Sequence, residues 1–255
     1  MNRGLTHPIG PLTLLTSQSL HTEMLAASHP RQRRKEARPQ ELLDAALDLF
    51  VEKGFAATRS EEVAQRAGVS KGTLYLYYPS KEELLKEVIR HNMVNHIAQG
   101  IDIAEQFTGP TSELLMLVYR EWWQRIGETR ASGIMKLMMS EVRNFPEIAQ
   151  FYADEVIAPT HALLSRLLNR GIERGEFRPI DVTGVTHALV APMLFLVMHK
   201  HSIGACGVGH SIDARAFIAA QLDLVLHGLQ VPSVATAAKA QRQPRRSAPK
   251  KAARP

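Results

Sequence analysis

From residue 39 to residue 230, apolar side chains recur at helical spacing in almost every segment, and no run alternates apolar and polar residues as a half-buried strand would. That periodicity predicts an all-α chain, because each amphipathic helix must bury its apolar stripe against another. A length of 255 residues leaves room for two modest helical domains. The first helix is expected over 39–53, with Pro39 in its first turn and Leu42, Ala46, Leu49 and Phe50 on one buried face. Gly54 supplies the left-handed stop. Thr58, with Glu61 three residues on, reads as the capping box of a second helix that buries Val63 and Ala64 and ends at Ala67 and Gly68. Ser70 caps a third helix through Tyr77, where Pro79 forbids continuation. Ser80 and Glu83 form a second capping box for a fourth helix running to about Ile103.

The net charge of +6 sits at the ends. Residues 231–255 hold seven basic groups and no acid, residues 1–38 six bases against two acids, and removing both leaves the body at −5. Global basicity is therefore weak evidence for a nucleic-acid partner. The Pro-, Ser- and Thr-bearing stretch 1–37, with its basic run Arg31 to Lys35, and the Ala-, Pro- and Lys-rich stretch 231–255 are expected to be disordered, since neither can offset its ordering entropy by burial. Met24 is an alternative translation start. A single cysteine, Cys206, excludes an internal disulfide, and no secretory pattern opens the chain, so the cytoplasm is the expected compartment. No apolar run is expected to reach the length of a membrane span. Eleven histidines show no paired-ligand spacing with a partner acid, and the glycines from Gly204 to Gly209 lack the lysine or serine of a phosphate loop or nucleophile elbow. Neither a metal, nor another cofactor, nor an enzyme active site is expected.

Two short helices joined by a tight glycine turn, behind a longer supporting helix, have the geometry that lays the second helix into a DNA major groove. The string AGVSKGTLYLYYPSKEELL at 67–85, preceded by RPQELLDAALDLFVEKGFAATRSEEVAQR at 38–66, closely resembles the DNA-binding head of the TetR family of bacterial regulators over about residues 38–95. The resemblance implies a helix-turn-helix (about 59–78), a helical effector-binding and dimerisation domain (96–230), and a homodimer on a palindromic double-stranded DNA operator. It implies DNA contacts from Ser70, Lys71 and Thr73 at the start of the third helix, with Gly72 permitting close approach. Tyr75, Tyr77 and Lys81 would reach phosphates, and Thr58, Arg59 and Ser60 would face the backbone from the second helix. Arg59 and Ser60 depart from the family's small hydroxyl and apolar residues, which weakens the carry-over there. Leu74 is expected inside the head and Leu76 as a partly exposed spacer.

Further helices are expected near 112–130, 132–144, 146–174, 181–203 and 211–229. The last two are expected to form the homodimer, with Ile218, Leu222, Val225 and Leu229 on one and Val182, Val185, Leu189, Met193, Leu196 and Val197 on the other; a monomer using these faces for its own core is the alternative. Trp122, Trp123, Met135, Met138, Met139, Phe151 and Tyr152 suggest a pocket for a small lipophilic effector, with Glu141 and His187 able to orient a polar group. Competing readings are a non-specific DNA binder driven by the basic tails and an enzyme with a helical pocket.

Overall fold

The computed structural model describes residues 30–208 and 211–231, and the expectations for loose segments over 1–29 and 232–255 lie outside them. Regular structure among the described residues is helical apart from one isolated bridge between Phe177 and Gln230. The helices are α1 (Pro30–Lys53), α2 (Ser60–Arg66), α3 (Lys71–Tyr77), α4 (Lys81–Ile89), α5 (Asn95–Gln106), α6 (Thr111–Trp122), α7 (Ser132–Glu141), α8 (Pro146–Tyr152), α9 (Ala158–Glu173), α10 (Val182–Lys200) and α11 (Ala214–Leu229).

The helix α1 begins at Pro30, so Pro39 lies inside it rather than in its first turn. The expected face is buried: Leu42, Ala46, Leu49 and Phe50 pack with Val63, Ala64, Leu74, Leu84, Leu85 and Val88. Gly54, at φ +89°, ends α1, and its amide donates to the Phe50 carbonyl at 3.0 Å. The same cluster runs on into Ile134, Met135, Leu137, Met138, Ile148 and Val197, so head and sensor share one core. Close packing of α7 on α1 depends on Gly133, where a Cβ would meet Val51 Cγ1 at 2.6 Å.

A second cluster joins α6, α9, α10 and α11 through Leu115, Val118, Leu164, Leu189, Met193 and Leu222. It corrects the expected dimer stripes. Ile218, Leu222 and Leu229, with Leu189, Met193, Leu196 and Val197, are buried inside the chain's own core. Phe195 and Leu224 are the large apolar side chains of α10 and α11 left exposed. The expectation of no span-length apolar run also needs correcting, because Val182–Cys206 is long and apolar enough by length and composition. The cause is a helix apolar on both sides: one faces the core, and only 28% of the most apolar window is buried.

Three π-helical turns interrupt the expected continuous helices, at Arg90–Val94, Trp123–Gly127 and Ala153–Ile157. The extra residue in each turn rotates the helical segment after it and widens the helix locally. All three adjoin one internal cavity.

Candidate DNA interface and ligand cavity

The turn between α2 and α3 forms from local signals. Gly68 takes φ +67°, and the Val69 amide closes on the Ala64 carbonyl at 2.9 Å. Ser70 caps α3 as expected, its Oγ accepting from the Thr73 amide at 3.1 Å. Leu74 is fully buried and pins α3 to the head. At 100° per residue, Gly72 and Leu76 then lie opposite it and point outward, flanked by Lys71 and Tyr75 on one side and by half-buried Thr73 and Tyr77 on the other. Leu76 is 85% exposed and Tyr75 39%. Lys71 makes an ion pair with Glu61 of α2 and lies 5.7 Å from the centre of the Tyr75 ring. The hydrogen bond to Lys71 holds the Glu61 carboxyl below its usual range. Such an exposed pair costs little to exchange for a phosphate.

Three expected contacts are placed differently. Thr58 is 1% exposed, and its hydroxyl donates to the carbonyls of Gly54 at 2.7 Å and Leu49 at 3.2 Å. Ser60 is 7% exposed, because α2 is capped one residue later than expected: Glu62 accepts from the Arg59 amide at 3.1 Å. That shift turns Arg59 outward and Ser60 inward. Lys81 spends its ammonium inside the head, donating to the carbonyls of Phe55 at 2.8 Å and Thr58 at 3.0 Å while sitting 4.4 Å from the centre of the Phe55 ring. It ties α4 to the α1–α2 turn rather than standing free for a phosphate. Tyr78, to which the sequence assigns no role, is buried and donates to the Pro39 carbonyl at 3.3 Å.

A cavity of about 480 Å³ lies between α5, α6, α7, α8, α9 and α10, at the junction of the two cores. Trp122, Met135, Met138, Met139 and Tyr152 line it, as expected. Trp123, one residue and 100° round from Trp122, is buried in the second core instead. Phe151 lies beneath Arg90, whose guanidinium is 4.7 Å from the ring centre. His187 stays outside, edge-on to His161 with ring centres 5.0 Å apart, and it is His161 that lines the cavity. Burial and the neighbouring His187 hold the His161 imidazole below its ordinary value, while burial pushes the Tyr152 phenol up. Sequence reasoning missed the polar end, where Arg125 donates to Gln99 Oε1 at 2.8 Å and to Glu121 Oε2 at 3.1 Å. The i, i+4 pair of Glu121 and Arg125 was the available signal.

Glu141 does not face this cavity. It ends α7 and reaches the head, accepting from the Phe55 amide at 3.0 Å and the Ala56 amide at 2.8 Å. Arg130, just before α7, makes an ion pair with Asp48 of α1. One helix therefore carries Met135, Met138 and Met139 of the cavity wall and a carboxylate that grips the turn leading into α2.

Two family models match this layout: "Bacterial regulatory proteins, tetR family" over residues 42–88, and "Tetracyclin repressor-like, C-terminal domain" over residues 107–205. The regulator RutR of Escherichia coli K12 is 32% identical over 165 residues, which span 59% of this chain and 69% of RutR. The chain belongs to the TetR family. Among its other TetR-family relatives, the repressor KstR2 of Mycobacterium tuberculosis is 30% identical over 148 residues, covering 57% of this chain and 72% of KstR2. The solved structure of FadR from Bacillus subtilis in complex with stearoyl-CoA superposes with a TM-score of 0.61 at 23% identity, covering 74% of this chain and 98% of FadR. This TetR-family chain is thus a helix-turn-helix, DNA-binding transcriptional regulator, as its relatives RutR and KstR2 are by name.

Proposed function

We propose that this regulator holds a largely apolar small molecule in the 480 Å³ cavity and releases its operator when that molecule binds. The volume lies within the roughly 300–1,000 Å³ of small-molecule sites. Its wall is mostly Met, Ile, Leu and Val, with a polar cluster of Arg125, Gln99 and Glu121, and with His161 as a further polar group. An apolar body with one polar end fits that distribution. One solved relative is in complex with stearoyl-CoA and another is a ketosteroid transcriptional regulator, which makes both ligand classes sensible probes.

The observation that carries the reading is α7, which forms cavity wall at its middle and holds the Phe55–Ala56 turn at its end. A ligand that pushes Met135 and Met138 shifts Glu141, and with it the base of α2 and α3. In a twofold dimer a small tilt at each head moves both α3 helices off successive major grooves, so several phosphate and base interactions break together. The dimer face we assign is the outward side of α10 and α11, Ala188, Ala191 and Phe195 with Phe217, Ala220 and Leu224. There the rings of Phe195 and Phe217 pack in a tilted pair with centres 5.8 Å apart, and the poorly buried apolar helix α10 needs covering. We assign that surface to a partner copy rather than a membrane, and with it a cytoplasmic location beside the DNA.

The test is release from a duplex selected out of random DNA, with a long-chain acyl thioester and a ketosteroid as probes. At least one should raise the melting temperature and lower DNA affinity, and Gly100→Trp, which fills the cavity, should abolish both effects. Ligand responses that survive Gly100→Trp would refute the cavity as the effector site.

A further inference from the structure

We infer that Leu76 reads a thymine, through the base's C5-methyl group, at the centre of each half-site. The inference rests on the DNA-binding reading and goes beyond it by assigning a specificity residue. On α3 the direction opposite buried Leu74 is the one that enters a groove most deeply, and the residues on it are Gly72, which bares the backbone, and Leu76, which supplies the one side chain. Leu76 is 85% exposed, an unusual placement for a leucine on a seven-residue helix whose other leucine is fully buried.

Gly72 supplies an independent observation. It has no positive φ, and a Cβ there would meet nothing nearer than Ser70 Oγ at 3.8 Å. The protein has no internal need for glycine in this helix, where glycine is less stable than alanine. An external surface that approaches the backbone closely accounts for it, and Leu76, four residues on, is the neighbouring side chain on that same line.

The chemistry of the groove selects the base. Major-groove edges present N7, O6 and O4 acceptors, N4 and N6 donors, and a single apolar group, the thymine methyl. Leucine offers no donor or acceptor. Pressed against a nitrogen or oxygen it would strip water without replacing the hydrogen bond, whereas against the methyl it buries apolar surface on both sides. Leu76 therefore favours thymine and disfavours other bases at one position, while Lys71 and Tyr75 flank it within reach of the backbone.

The experiment uses the full chain and a duplex selected from random DNA, with each thymine replaced in turn by deoxyuridine, which lacks only the methyl. In the wild type, replacing the contacted thymine in one half-site should weaken binding about fourfold, and replacing it in both about fifteenfold. Leu76→Ala should bind more weakly and show no difference between thymine and uracil there. Gly72→Ala should raise the melting temperature yet weaken binding, which separates contact from folding. Wild-type affinity indifferent to every replacement, or a methyl effect that persists in Leu76→Ala, overturns the inference while leaving the regulator reading intact. Failure to select any sequence overturns both.

Discussion

Replacing Glu141 by alanine removes the carboxylate that holds the α1–α2 turn to the sensor. It accepts two backbone donors, the Phe55 amide at 3.0 Å and the Ala56 amide at 2.8 Å, from residues 86 and 85 positions away. A hydrogen bond to a charged acceptor contributes about 1.5–3 kcal/mol when sheltered. Ala56 is exposed, so water replaces much of its bond, and screening trims the other. A combined loss of about 2 kcal/mol is reasonable, equivalent to about thirtyfold in local opening. Amide hydrogen exchange reads this directly: exchange at Phe55 and Ala56 should quicken about thirtyfold in Glu141→Ala, while amides in the middle of α9 hold steady. A Glu141→Ala protein whose Phe55 and Ala56 amides exchange at the wild-type rate would refute the clamp and the route from cavity to head built on it. Gly54 gives a linked check. A Cβ there would clash with the Glu141 carboxylate as well as strain a φ of +89°, so Gly54→Ala should be less damaging in the Glu141→Ala background.

Lys71→Ala should lower the slope of log affinity against log salt by about 0.9 for each phosphate left unneutralised, in each head. Lys81→Met should leave that slope in place and instead lower the melting temperature, because its ammonium serves the Phe55 and Thr58 carbonyls; a flattened slope in Lys81→Met would contradict the placement. Tyr119→Phe should destabilise the fold by about 1–3 kcal/mol in denaturant titration, since the buried Leu189 carbonyl is deprived of a 2.8 Å donor beside the proline turn of α10, and an unchanged midpoint would count against it. Acidification should also destabilise. Burial first, then Lys200 and Lys136, holds His201 below its ordinary 6.5. As pH falls through 6.5 the unfolded chain takes up a proton that the folded chain refuses, so stability drops until the folded value is reached. His201 lies 2.8 Å from Ser132 Oγ, and His201→Gln should shrink the drop in melting temperature; an identical profile would show that other groups carry it.

The head was legible because its boundaries are local: glycines at 54 and 68, Ser70 as a cap and Pro79 as a stop act within a few residues. At the start of α2 the expectation failed by one residue. Capping α2 at Arg59 rather than Thr58 rotates the helix by 100°, which is enough to bury Ser60. Lys81 went astray for another reason: its partners lie more than twenty residues back in a turn whose position only the folded head defines. In the sensor, the density of Met and aromatic residues located the cavity, but Trp122 and Trp123 could not be told apart without knowing where the π turn begins. The apolar stripes of α10 and α11 were correctly seen as buried faces and wrongly assigned to a partner, since periodicity shows that a face is covered and not by whom.

The central claim is that a pair of outward-facing α3 helices occupies two major grooves of one duplex. Dimethyl sulfate footprinting of guanine N7, a major-groove atom, on a selected duplex tests it most directly. The account predicts two protected patches related by a dyad and about one helical turn apart, both abolished in Gly72→Trp. A single patch, or protection that survives Gly72→Trp, would contradict it.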